Sequence, residues 1–169
     1  MIKKILLAVL IAAPMCISAQ TLKFGTVNTQ EIFNVMPEKT TAENTLKDVA
    51  AKYQTEAKNL ETSLQKLYTD FQALDEKTTP KAIKDRRMQE IQEAQQKYQN
   101  FQQTASQDMQ RQQETLLAPI QDKLQKAIQA VGAEGSFTFI YDLSIPAVVY
   151  SGGAAQDVTP LVKAKLGIK

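Results

Sequence analysis

Between Glu38 and Leu74, apolar or small residues fall at Ala42, Leu46, Val49, Tyr53, Ala57, Leu60, Leu64, Leu67, Phe71 and Leu74, in steps of three and four. That spacing predicts one narrow apolar stripe along a long helix, with Lys, Glu, Asp, Gln, Thr and Asn around the rest of it. Two successive steps of four, Val49 to Tyr53 to Ala57, form a stutter where left-handed winding locally relaxes. A second, thinner stripe runs from Pro80 to Val131 through Ile83, Met88, Ile91, Ala94, Tyr98, Phe101, Ala105, Met109, Leu116, Ile120, Leu124 and Ile128. Eleven of the twenty-five residues from Gln89 to Gln113 are Gln, good helix formers that add little packing. At 1.5 Å rise per residue the two segments are about 55 and about 75 Å long. A chain this short cannot bury them, so they project as an antiparallel hairpin hinged at Thr78-Thr79-Pro80, with Thr78 or Thr79 capping the second helix.

The flanks carry a different pattern. Leu22 to Val27 alternates and reads as a strand, and Asn28 with Glu31 three residues later is a capping-box signature opening a short helix through Ile32, Phe33 and Val35. Pro119, inside the second arm, marks a hinge where the Gln-rich stripe gives way to a denser one, since an interior proline removes a hydrogen bond and bends the helix. Gly132 and Gly135 end that helix. Phe137 to Tyr141 and Ala147 to Tyr150 are β-prone and predict a strand pair, and Pro160 to Leu166 a last helix stopped by Gly167. The fold class expected is α+β, mostly α. A helical hairpin arm, residues 38–131 with its tip near 75–81, projects from a three-stranded β body built from residues 20–37 and 132–169. So small a sheet is a poor core by itself, so the body is expected to associate with copies of itself.

Composition narrows the function. Met1 to Lys4 is basic, Ile5 to Ala13 apolar, and Cys16 to Ala19 a small-residue exit, which reads as a signal peptide over residues 1–19. The residues before Cys16 are Met15 and, three back, Ala13, a poor match to a lipoprotein signal, so Cys16 is expected to leave with the leader. The chain holds 20 Lys plus Arg against 18 Asp plus Glu; without Lys3 and Lys4 the counts are equal. That balance argues against nucleic acid as a partner. With no His in the chain and its one Cys in the leader, zinc sites, thiol nucleophiles and imidazole relays are unavailable. The carboxylates sit on polar helix surface, and no phosphate-binding glycine loop occurs. The expectation is a non-enzyme with no metal and no cofactor.

Around the tip, Lys77, Lys81, Lys84, Arg86 and Arg87 outnumber Asp75, Glu76 and Asp85. This is either a solvated helix end or a basic fingertip for acidic clients or for transient contact with an anionic membrane surface.

The order of elements resembles the Skp/OmpH family of periplasmic chaperones. The resemblance rests on the strand ending Val27-Asn28, Ile32-Phe33, the long hairpin, Ala118-Pro119-Ile120 with Lys123 and Ala127-Ile128, the strand Phe137 to Tyr141, Val148 to Tyr150, and Asp157-Val158-Thr159-Pro160-Leu161-Val162. It implies a homotrimer whose strands build a joint body, with Phe24, Val27, Phe137, Phe139, Tyr141, Val148 and Tyr150 at the interface. It also implies an ATP-independent periplasmic holdase that shelters unfolded outer-membrane β-barrel proteins between the arms. Tyr68, Phe71, Met88, Ile91, Tyr98, Phe101 and Met109 are then the client-binding candidates, each also readable as part of the interhelical seam. The near-neutral charge departs from the markedly basic family members and argues against electrostatic capture of acidic clients. The rival readings are a structural periplasmic coiled-coil spacer and an efflux-type adaptor; the second lacks the long flanking β domains such adaptors need.

Overall fold

The structure, a computed structural model, describes residues 22–168; the expected signal peptide, Cys16 included, lies outside them. Strand β1 (Phe24–Val27) leads into helix α1 (Thr29–Val35), then α2 (Pro37–Gln72) and α3 (Lys81–Glu134), strand β2 (Phe139–Asp142), strand β3 (Gln156–Asp157) and helix α4 (Thr159–Lys165). The two long helices lie against each other as the expected arm.

Local chemistry sets the boundaries. Asn28 caps α1, its side-chain oxygen accepting the Glu31 N–H at 2.9 Å. Only half of the capping box forms, because the Glu31 carboxylate pairs with Lys163 of α4 at 2.5 Å. Pro37 occupies the first turn of α2, where its missing N–H costs nothing. At the tip, Asp75 accepts the Lys77 N–H at 2.7 Å and its carbonyl accepts the Thr79 N–H at 3.0 Å. Neither Thr78 nor Thr79 caps the next helix: Pro80 is its N-cap and offers no side-chain bond. Helix α3 runs without interruption through both Pro119 and Gly132 to Glu134. Gly135 then follows with no room for a side chain, since a Cβ there would lie 2.4 Å from the Phe137 ring. The reversal itself is made by Ser136, at φ 52°.

The sheet differs from the expected strand pair. Its order is β2-β1-β3, and both neighbours run parallel to β1. The two C-terminal strands therefore flank β1 rather than pair with each other. Ala147–Tyr150, expected as a strand, lies in the loop between β2 and β3, and the third strand is the two-residue Gln156–Asp157. With β2 on one side of β1, the other edge is taken by the residues that deliver Val158 into the core: the Val158 N–H donates to the Thr26 carbonyl at 2.8 Å.

The core lies where the sheet, α1, α4 and the body-proximal end of the arm converge. It is built from Val27, Ile32, Met36, Ala42, Ile120, Leu124, Ala127, Val131, Val158 and Val162, with Phe33, Leu116, Phe137 and Ile140 packed against it. Register assigns the two faces of the sheet. Gly25 pairs with Ile140 and Val27 with Asp142; Phe24 pairs with Phe139 and Thr26 with Tyr141. Ile140 and Val27 turn into the core, leaving the aromatic face to the other side.

Candidate functional surfaces

Three surfaces carry the residues singled out in the sequence. The first is the arm. Its stripes meet each other, so Tyr68, Phe71, Tyr98, Phe101 and Met109 are half-buried along the seam. Ile91 is corrected outright: it is 2% exposed and closes the distal seam instead of offering contact. Met88, 41% exposed, and Ile83, 42% exposed, are the large apolar side chains of the arm most open to solvent. Ile83 was passed over because it reads as just another stripe position. Pro119 sits at the root of the arm, beside a cavity of about 360 Å³ lined by Glu38, Ala42, Leu116, Ile120 and Lys123. Lys123 donates to Glu38 across the two helices there and holds that carboxyl below its ordinary range.

The second surface is the tip. Lys81 pairs with Asp85 at 2.5 Å, Arg87 with Glu90 at 2.7 Å and Arg86 with the same Glu90 at 3.4 Å. Lys84 donates to the Glu76 carbonyl at 2.5 Å, while the Asp75 carboxyl is pulled below its usual range by the N–H groups of Lys77 and Thr78. The basic side chains are thus largely matched by local carboxylates and carbonyls. Their field at a distance is weak, which favours the solvated-helix-end reading of the tip.

The third surface is the uncovered face of the sheet. The Phe24 and Phe139 rings stack at 6.3 Å and 8°, and Phe139 approaches Tyr141 at 6.0 Å. Phe139 is 56% exposed, and Val149 and Tyr150 of the β2–β3 loop stand almost wholly in solvent. An open cleft of about 550 Å³ runs between this face and the loop, lined by Phe24, Thr26, Tyr141, Val148 and Tyr150. Five of the seven expected interface residues, Phe24, Phe139, Tyr141, Val148 and Tyr150, therefore share one surface. The other two do not. Val27 is 2% exposed inside its own chain's core, because odd and even strand positions point to opposite faces. Phe137 packs on that core too, with the Lys23 ammonium 4.1 Å from its ring centroid. Leu143, Ile145 and Val149, exposed along the same loop, were missed as surface residues. Their signal was an apolar side chain at every second place, Leu143, Ile145, Ala147 and Val149, of a segment read as a turn and a strand.

Among the described residues, no group of three or more His, Cys, Asp or Glu side chains is placed to hold a metal ion. No helix among them is long and apolar enough to cross a membrane.

The family model described as outer membrane protein (OmpH-like) matches residues 23–166, spanning all three strands, both arm helices and the whole of the last helix. The chain belongs to the OmpH-like family. Among solved structures, the OmpH-like fold recurs in a putative outer membrane chaperone (OmpH-like) from Caulobacter crescentus CB15. The TM-score is 0.73 at 16% sequence identity, covering 86% of this chain and 83% of that one. At that identity the likeness speaks to fold alone. No curated protein matches the sequence.

Proposed function

We propose that this OmpH-like chain is an ATP-independent periplasmic holdase chaperone. It keeps unfolded outer-membrane β-barrel proteins soluble in a cavity between the arms of a homotrimer. The observation that carries the reading is a pairing of surfaces: a long, thinly packed helical arm with Met88 and Ile83 open to solvent, rooted in a body whose Phe139–Tyr141 face is apolar and uncovered. An exposed aromatic sheet face of this kind is a site for association, and three copies joined there hold three arms around a common space. Weak contacts spread along such arms suit clients without fixed shape, and Met adapts to varied partners. The structural likeness to the Caulobacter crescentus protein, a putative outer membrane chaperone, agrees with this reading. Delivery to the periplasm rests on the leader-like residues 1–19.

The test is light scattering after size exclusion on the chain from Gln20 onward, alone and with a urea-diluted outer-membrane barrel protein. The expected result is a particle of three chain masses that retains the barrel protein in solution without nucleotide. Phe139→Asp is expected to yield monomers that lose the holding activity. Trimers that let the barrel protein precipitate would instead support a periplasmic spacer. One observation favours that second reading: the aromatic side chains of the arm are half-buried in its own seam.

A further inference from the structure

The distal arm has one polar feature inside its apolar seam. The Tyr53 hydroxyl on α2 donates to Asp108 Oδ2 on α3 at 2.5 Å. The Gln112 amide donates to the same oxygen at 2.6 Å and Arg111 to Oδ1. The Asp108 side chain is 20% exposed, and the Tyr53 ring meets the Phe101 ring edge-on at 6.0 Å and 67°. Tyr53 therefore sits on α3 between Phe101 and Asp108, two turns apart. It is also the middle residue of the Val49-Tyr53-Ala57 stutter.

The remaining seam specifies little. Leu60, Leu64 and Leu67 repeat along α2 at helical spacing, and the stripe of the Gln-rich α3 continues past Phe101 through Tyr98 and Ala94. Sliding α2 by one turn would replace one aliphatic contact with another of similar size. At Asp108 the same slide is not neutral, because it would set the carboxylate against Val49 or Ala57, each four residues from Tyr53. Neither can donate a hydrogen bond, so Asp108 would keep Arg111 and Gln112 of its own helix but lose the donor from α2, which is disfavoured for a side chain only 20% exposed. A single polar residue in an apolar seam can fix alignment in this way, at some cost in stability.

We propose that the Tyr53–Asp108 bond is the register pin of the arm: it selects one alignment of α2 along α3 against alternatives displaced by a helical turn. It thereby sets where the tip ends and which side chains of the distal arm face outward.

The experiment uses the full chain with Cys16→Ser and nitroxide labels at exposed positions 61 and 114, offset along the arm axis so that a slide changes their separation, and diluted with unlabelled chain so that only distances within one chain are read by pulsed dipolar spectroscopy. The parent is expected to give one narrow distance. Tyr53→Phe, which keeps the ring against Phe101, is expected to add a second population displaced by about 5.4 Å along the axis. The double variant Tyr53→Leu/Asp108→Leu is expected to melt at or above the parent temperature and still show the split, which a bond acting only through stability would not produce. Glu38→Gln, which weakens the other cross-arm polar contact, is expected to leave the single distance unchanged. One unchanged narrow distance in both pin variants would overturn the proposal, as would an equal split in Glu38→Gln.

Discussion

The two ends of the arm are held by different physics. Near the body, Ala42, Ile120, Leu124, Ala127 and Val131 join Val27, Ile32, Val158 and Val162 in a core to which β1 and all four helices contribute. Toward the tip, two helices meet along a strip where Ile91 is the one residue of either helix buried to a similar degree beyond the pin. There the helices persist on propensity, local i,i+4 pairs such as Lys81–Asp85, and Gln side chains bonded along one helix, as Gln89 to Glu93 at 2.8 Å. The lesson is that helix length and helix packing are separate properties. A sequence can specify 54 residues of continuous helix while supplying a tertiary core for only the last third.

Substitutions should separate the two regimes, and the largest effect belongs to the body. Ile32→Ala, at a fully buried site, is expected to cost about 3 to 4 kcal/mol in urea unfolding. Leu64→Ala, half-buried in the distal seam, should cost about 1 kcal/mol or less; near-equal costs would erase the contrast. Gly135→Ala comes next, since its Cβ would overlap the Phe137 ring and force it off the core, at about 1 to 3 kcal/mol.

A pH titration then isolates the pin. The Asp108 carboxyl, hydrogen-bonded first by Tyr53 and then by Arg111 and Gln112, sits at about 2, below its ordinary 3.8. A depressed carboxyl stabilises the fold fully above its unfolded value, and the benefit drains as pH falls from about 4 toward 2. Tyr53 is shifted upward by the same bond, so its contribution holds below pH 10 and fades as pH rises beyond it. Thermal melts of the parent and Tyr53→Phe should therefore differ at neutral pH and converge toward pH 2; a constant gap would contradict this origin. The smallest effect is a gain. Ser136→Gly relieves a left-handed backbone at a non-glycine residue and should add up to about 1 kcal/mol.

Much of this was legible in the sequence because periodicity is a local signal. The arm helices end within a few residues of the stripes that predicted them, and Asn28 and Gly167 stand at the expected helix ends. What escaped was non-local. Ala147–Tyr150 has every intrinsic mark of a strand, yet both edges of β1 are filled, one by β2 and one by Gln156–Asp157. Those two polar residues pair because Val158 must enter the core and Thr159 must accept the Asn28 N–H at 3.0 Å. Asp108 was equally hidden, one acidic residue in a polar background until the fold set Tyr53 opposite it. The division of the aromatic residues into core and open face also awaited the register of β1, since a shift of one residue exchanges the two faces.

The central place of β1 also has a temporal consequence. Its partners begin at Phe139 and Gln156, so the strand made first is completed by residues made last. During synthesis from the N-terminus, the arm helices can pair while β1 waits with both edges bare. Long-range closures of this kind are slow relative to local helix pairing. Until about residue 162 has emerged the sheet cannot be sealed beneath Val158 and Val162, so the chain remains threadable for nearly its whole length and becomes a globule only at the end.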